Sequence, residues 1–138
     1  MPTKIISGEY VMDTRKTLND LNRSLRELHK ELVKVARHEY EKEWGQVDPG
    51  QLLQLLTRHP QFDWLHQLSE FMVDIDEILD NEIVSQADIR SIFAQAKSML
   101  SQSVTEPCDF STHYFEAMHG DPAIVMAHAN VRWVLESR

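Results

Sequence analysis

Val11, Leu18, Leu25 and Leu32 recur every seven residues, and Leu21, Leu28 and Val35 stand three residues after the last three of them. Only Thr14 interrupts these two apolar columns. A 3-4 spacing of this kind places the residues on one side of a helix, so the pattern predicts a long amphipathic helix over about residues 9–44. Its stripe must pack against other helices. The positions flanking the seam are Asn22, Ser24, His29, Glu31, Ala36 and His38 rather than alternating Glu and Lys, a poor code for a two-stranded coiled coil. Ala36 and Val33 widen the stripe, as in a globular bundle. Packing within the chain is therefore preferred to a dimer built on this helix.

Breakers divide the rest of the chain into further helices. Gly45 ends the first. Asp48-Pro49 opens a second with Asp as N-cap and Pro in the first turn, and Leu52, Leu53, Leu55 and Leu56 supply its apolar side up to about His59. Pro60 opens a third helix, predicted to run to about Asp80 on the seam Leu65, Leu68, Met72, Ile75 and Leu79. Ser85-x-x-Asp88 resembles a capping box ahead of a fourth helix carrying Ile89, Ile92, Phe93, Ala96, Met99 and Leu100. Pro107 stops it. Phe110, Tyr114, Phe115 and Met118 predict a short fifth helix closed by Gly120, and Asp121-Pro122 starts a sixth. No strand alternation, repeat or low-complexity tract appears.

The sixth helix is unlike the others. In residues 123–135 only His128, Asn130 and Arg132 are polar. Ile124, Val131 and Leu135 lie to one side, and Met126, Ala129 and Trp133 lie nearly opposite. A helix apolar on two sides is either central to a bundle or shared with a partner. The central, doubly packed position is the expectation.

The 138 residues fit one helical domain over 1–138, with residues 1–8 as a flexible lead-in. Cys108 is the only cysteine, so no intrachain disulfide can form, which suits a reducing compartment. Residues 1–10 lack the charged and apolar regions of a signal peptide, and no apolar run approaches the ~20 residues of a membrane span. A cytoplasmic location without membrane attachment is expected. The net charge of −8 argues against a nucleic-acid partner. Residues 1–44 hold 9 Lys/Arg against 8 Asp/Glu, whereas residues 45–138 hold 5 against 14, so the acidity lies beyond the first helix.

Several residue groups could carry chemistry. Lys16, Arg23, Lys30 and Arg37 form a basic row spaced by seven, but Asp20 and Glu27 lie beside it, which suits a mixed solvent face. Seven acids and no Lys or Arg fall within residues 60–82, with Asp63, Glu70, Asp74 and Glu77 on the outward side of the third helix. A basic protein partner would account for such crowding, and so would solubility. The i, i+4, i+7 spacing lacks the loop geometry of a calcium site. Glu116-x-x-His119 and Asp63-x-x-His66 echo half of a di-metal bundle motif, yet the wheel turns Glu116 and Asp63 away from their seams. Cys108, His113, His119 and His128 match no common zinc spacing. His128 stands in the apolar stripe of the sixth helix with Arg132 one turn on, and reads as a hydrogen-bonded core histidine or as a ligand or proton-linked group. No nucleophile elbow and no phosphate-binding glycine loop is present.

Residues 59–65 (His-Pro-Gln-Phe-Asp-Trp-Leu) running into Ile75-Asp76-Glu77, and residues 121–129 (Asp-Pro-Ala-Ile-Val-Met-Ala-His-Ala), resemble small uncharacterised bacterial helical proteins. The resemblance covers about a third of the chain. It implies a bacterial cytosolic origin and an all-α fold, and it brings no functional residue with it.

The resulting expectation is an all-α bundle of five to six helices with a long first helix. It is read as non-enzymatic and without a cofactor, because no base, nucleophile and oxyanion donors come together. Its partner would be a protein or a second copy, met through Glu70, Asp74 and Glu77 of the third helix or an apolar side of the sixth. The alternative is a small-ligand or metal site at His128 with Arg132.

Overall fold

Leu18, Leu21, Leu25, Leu28 and Leu32 are fully buried along one side of α1 (Thr3–Trp44), so the seam packs within the chain. The computed structural model describes residues 3–101 and 109–136, with side chains from 14 to 101 and from 110 to 136. Val11 of the seam, Pro107 and Cys108 fall outside the described side chains. Among the described residues the structure is all-α, with no strand. The elements after α1 are α2 (Pro49–Arg58), a 3-10 helix (Pro60–Leu65), α3 (His66–Leu79), α4 (Gln86–Leu100), α5 (Asp109–Gly120) and α6 (Pro122–Glu136).

The α1 helix starts earlier than the pattern predicts and serves as the spine of the bundle. Both α6 and α3 pack along it, while α4, α5 and the 3-10 helix close its sides. Asp121, the residue before α6, lines a cleft with Lys34, His38 and Lys42 of α1, and α6 then runs back along the spine. Ile124, Ala127, Val131 and Leu135 fill that contact from the α6 side. Of the described core residues expected from the seams of the first and third helices, Val35, Met72 and Leu79 remain half-buried. Thr14, which breaks the apolar column, is fully buried because its hydroxyl donates to the Val84 carbonyl at 2.8 Å. A buried hydroxyl with a partner escapes most of its desolvation cost.

The helix ends follow the capping chemistry. Gly45 adopts φ +89, a conformation that L side chains rarely take, and its N–H closes on the Glu41 carbonyl. Arg37 then donates to the Val47 carbonyl at 2.6 Å, and Glu41 accepts from the Val47 N–H at 3.0 Å. That backbone hydrogen bond, with Arg37 beside it, holds the Glu41 carboxyl below its ordinary pKa. Arg37 thus fastens the turn into α2 and is not an open member of a basic row. Asp48 with Gln51, and Ser85 with Asp88, form reciprocal capping boxes.

The third predicted helix divides in two. Pro60 has no N–H to give, and the His59 ring accepts from Gln61 N–H at 3.1 Å, which starts a tight 3-10 turn. This turn sends Phe62, Trp64 and Leu65 inward. The regular α3 follows from His66, whose Nε2–H donates to the Leu56 carbonyl at 2.7 Å and ties α2 down. The α2 helix has no fully buried residue, and Leu53 points out at 66% exposure, so its apolar side is only partly used.

The C-terminal end of α3 has no basic residue in its last turn. Arg15 of α1 supplies the missing cation from across the bundle. It donates to the carbonyls of Leu79 at 2.5 Å, Asn81 at 2.6 Å and Glu82 at 3.2 Å. A guanidinium here satisfies carbonyls at and beyond the helix end and offsets both the helix dipole and the surrounding acids. Arg15→Ala is expected to lower the unfolding free energy by about 2 kcal/mol in urea titrations. Arg15→Lys should recover only part, because one ammonium cannot span three carbonyls. An unchanged midpoint for Arg15→Ala would remove this contact from the stability of the fold.

Candidate functional site

The α6 helix is launched by Asp121, whose carboxylate accepts from Ala123 N–H at 2.9 Å, with Pro122 in the first turn. Its hundred-degree steps turn Ile124, Ala127, Val131 and Leu135 onto α1. The same steps turn Pro122, Val125, Met126, Ala129 and Trp133 outward, all of them exposed. Met126 is 69% exposed and Trp133 72%. The expected central, doubly packed position of this helix is therefore not found. The bundle supplies neighbours for one side only, and the second apolar side is left on the surface.

His128 sits at the edge of the buried side, half-buried. Its Nδ1 meets the Tyr114 hydroxyl of α5 in a short hydrogen bond. Tyr114 is fully buried, stacked on Phe110 at 5.2 Å and edge-on to Phe115 at 5.3 Å. Burial pushes the tyrosine hydroxyl well above its ordinary pKa. Burial, and then the charge of Arg132, push the His128 pKa down. Both shifts favour the neutral forms, so the bond joins a neutral phenol to a neutral imidazole. Arg132 itself is exposed and pairs with Glu136 at 2.7 Å. Arg132 thus acts on His128 through charge, with no hydrogen bond between them among the described contacts.

Glu70, Asp74 and Glu77 are exposed on α3 and make no ion pair among the described residues. They do not converge on one hollow. Asp74 and Glu77 border a shallow groove of about 440 Å³ with Asp88 of α4, whereas Glu70 borders another of about 410 Å³ with His29 and His66. Their neighbour Asp76 has a structural role, accepting from Asn22 Nδ2 at 2.7 Å. The candidate histidines His113 and His119 are also engaged. His113 stacks on Trp64 at 5.1 Å, and His119 Nδ1–H donates to the Phe115 carbonyl at 2.7 Å. Asp63 and His66 come within 4.0 Å of each other only. No group of three His, Cys, Asp or Glu able to hold a metal ion occurs among the described residues.

A cleft of about 620 Å³ between α1, the 3-10 helix and α5 was not legible in the sequence. It joins Lys34, His38 and Lys42 to Trp64, His113 and Glu116, residues brought together only by the tertiary fold. Its lysines are already matched on α1, Lys34 by Glu31 and Lys42 by Glu39. No helix among the described residues is long and apolar enough to cross a membrane. No protein family, curated protein or solved structure matches the chain.

Proposed function

We propose that this chain is a non-enzymatic interaction protein whose docking face is the outer side of α6. The observation that supports the reading is the exposed stripe of Met126, Ala129 and Trp133, with Val125 beside it. Isolated exposed apolar residues are ordinary, but a contiguous run on one helix face is not. Trp and Met are also residue types enriched where proteins meet. The helix beneath is held rigidly by its capped start and its buried side, so the stripe is presented in one orientation. The acidic face of α3 is the weaker candidate, because charge without an apolar centre mainly affects encounter rate.

A photo-activated cross-linking residue at Ala129, with controls at Ala94 of α4 and Asp74 of α3, tests the reading in cells expressing the full chain. Adducts are expected from position 129 and should vanish when Met126→Glu is added. Adducts from 94 or 74 at the same yield, or none from 129, would contradict it.

A further inference from the structure

Resting on that reading of α6 as a docking face, we infer that its occupant is a second copy of this chain, paired antiparallel through α6. The stripe is self-complementary. Ala129 stands between Met126 and Trp133, three residues after one and four before the other. A two-fold axis placed between residues 129 and 130 sets Met126 of one protomer opposite Trp133 of the partner subunit, and the reverse. The small Ala129 side chains meet at the crossing, where they allow two helices to approach closely. Methionine sulfur against an indole ring is itself a favourable contact.

Charge within the stripe does not oppose this occupant. Arg132 and Glu136, the only charged side chains among the described residues of α6, pair with each other at 2.7 Å. The stripe is therefore neutral on a chain of net charge −8, and offers nothing acidic to select a basic partner. The acidic residues of α3 belong to a different helix, which packs on α1 without extensive contact to α6. Repulsion between two −8 copies acts mainly over distances that physiological salt screens, with a Debye length of about 8 Å.

The area is just sufficient for a weak dimer. The α6 helix is about 22 Å long. With Met126 and Trp133 mostly exposed, the stripe offers on the order of 450 Å² of apolar surface per copy. Two copies with their polar margins would bury about 1,000 Å², the lower edge of specific interfaces. A micromolar dissociation constant is expected.

Sedimentation equilibrium of the purified full chain, from about 5 to 200 µM, reads this directly. The mass should rise from 16.1 kDa toward twice that value. Raising salt from about 0.05 to 0.5 M should tighten the dimer, because only the repulsive part is screened. Met126→Glu with Trp133→Glu should weaken it about 100-fold or more, with an unchanged circular dichroism spectrum. Oxidation of Ala129→Cys in a Cys108→Ser background should cross-link two copies, and Ala94→Cys should not. A monomer at every concentration, or a dimer that survives the double substitution, overturns the inference. A monomer whose position 129 still cross-links a different protein overturns the second copy and leaves the docking face standing. A monomer with no adduct overturns both.

Discussion

Leu25→Ala should lower the free energy of unfolding by roughly 3–5 kcal/mol, the range for a fully buried leucine truncated in a core that cannot collapse around the loss. Leu25 lies in the middle of the buried column of α1, the helix on which α3 and α6 both pack. The lost side chain therefore removes contacts from the spine of the bundle rather than from its edge. Leu53→Ala provides the contrast. That leucine is 66% exposed on α2, so its truncation should move the midpoint by no more than about 0.5 kcal/mol. Urea unfolding followed by circular dichroism measures both. Equal small effects would mean that α1 is not the spine.

Tyr114→Ala should be comparably costly, at roughly 3–5 kcal/mol, since it empties a fully buried aromatic site between Phe110 and Phe115. Tyr114→Phe separates packing from the hydrogen bond and should cost only about 1–2 kcal/mol, the value of one donor lost to a half-buried acceptor. It also changes the pH dependence. In the folded chain His128 binds its proton less readily than its ordinary value of 6.5, through burial and Arg132. The unfolded chain therefore holds more protons below that value. The contribution of His128 to stability is complete above pH 6.5 and declines as pH falls through it toward the depressed folded pKa. His29, also lowered by burial, adds a slope of the same sign. A tyrosine O–H that donates to Nδ1 stabilises the neutral imidazole, so with Tyr114→Phe the His128 pKa should rise toward 6.5 and the slope between pH 7.5 and 5.5 should become shallower. Ring-proton titration by NMR and urea midpoints at the two pH values give the answer. An unmoved His128 pKa would show that the tyrosine hydroxyl does not act on it.

Periodicity and capping made most of the helices legible. The seven-residue seam names the buried side of α1, and Gly45, Asp48-Pro49, Ser85 with Asp88, and Asp121-Pro122 mark real boundaries. Each of these is a local property, settled by residues a few positions apart. Most of the features that escaped reading are non-local. Arg15 reaches the end of α3 across 64 residues of chain, and Tyr114 meets His128 across 14. The division of the third helix depended on the His59 ring competing for the Gln61 N–H, a side-chain choice that periodicity does not register. The α6 helix shows the limit most clearly. Its wheel revealed two apolar sides correctly, but periodicity describes only what a helix offers, and the number of neighbours it finds is decided by the rest of the bundle. Of the candidate site residues, His128 acquires a specific partner, while Glu70, Asp74 and Glu77 stay on the surface and border separate hollows.

The outer face of α6 as a docking surface is tested most directly by oxidative footprinting, because Met126 and Trp133 carry side chains that hydroxyl radicals modify readily. Trp44, 66% exposed at the far end of α1, serves as the internal reference. Modification of Met126 and Trp133 is expected to be several-fold slower in intact expressing cells than in a dilute solution of the purified chain, with Trp44 unchanged. Equal modification of Met126 and Trp133 in the two conditions, relative to Trp44, would show that nothing covers this face.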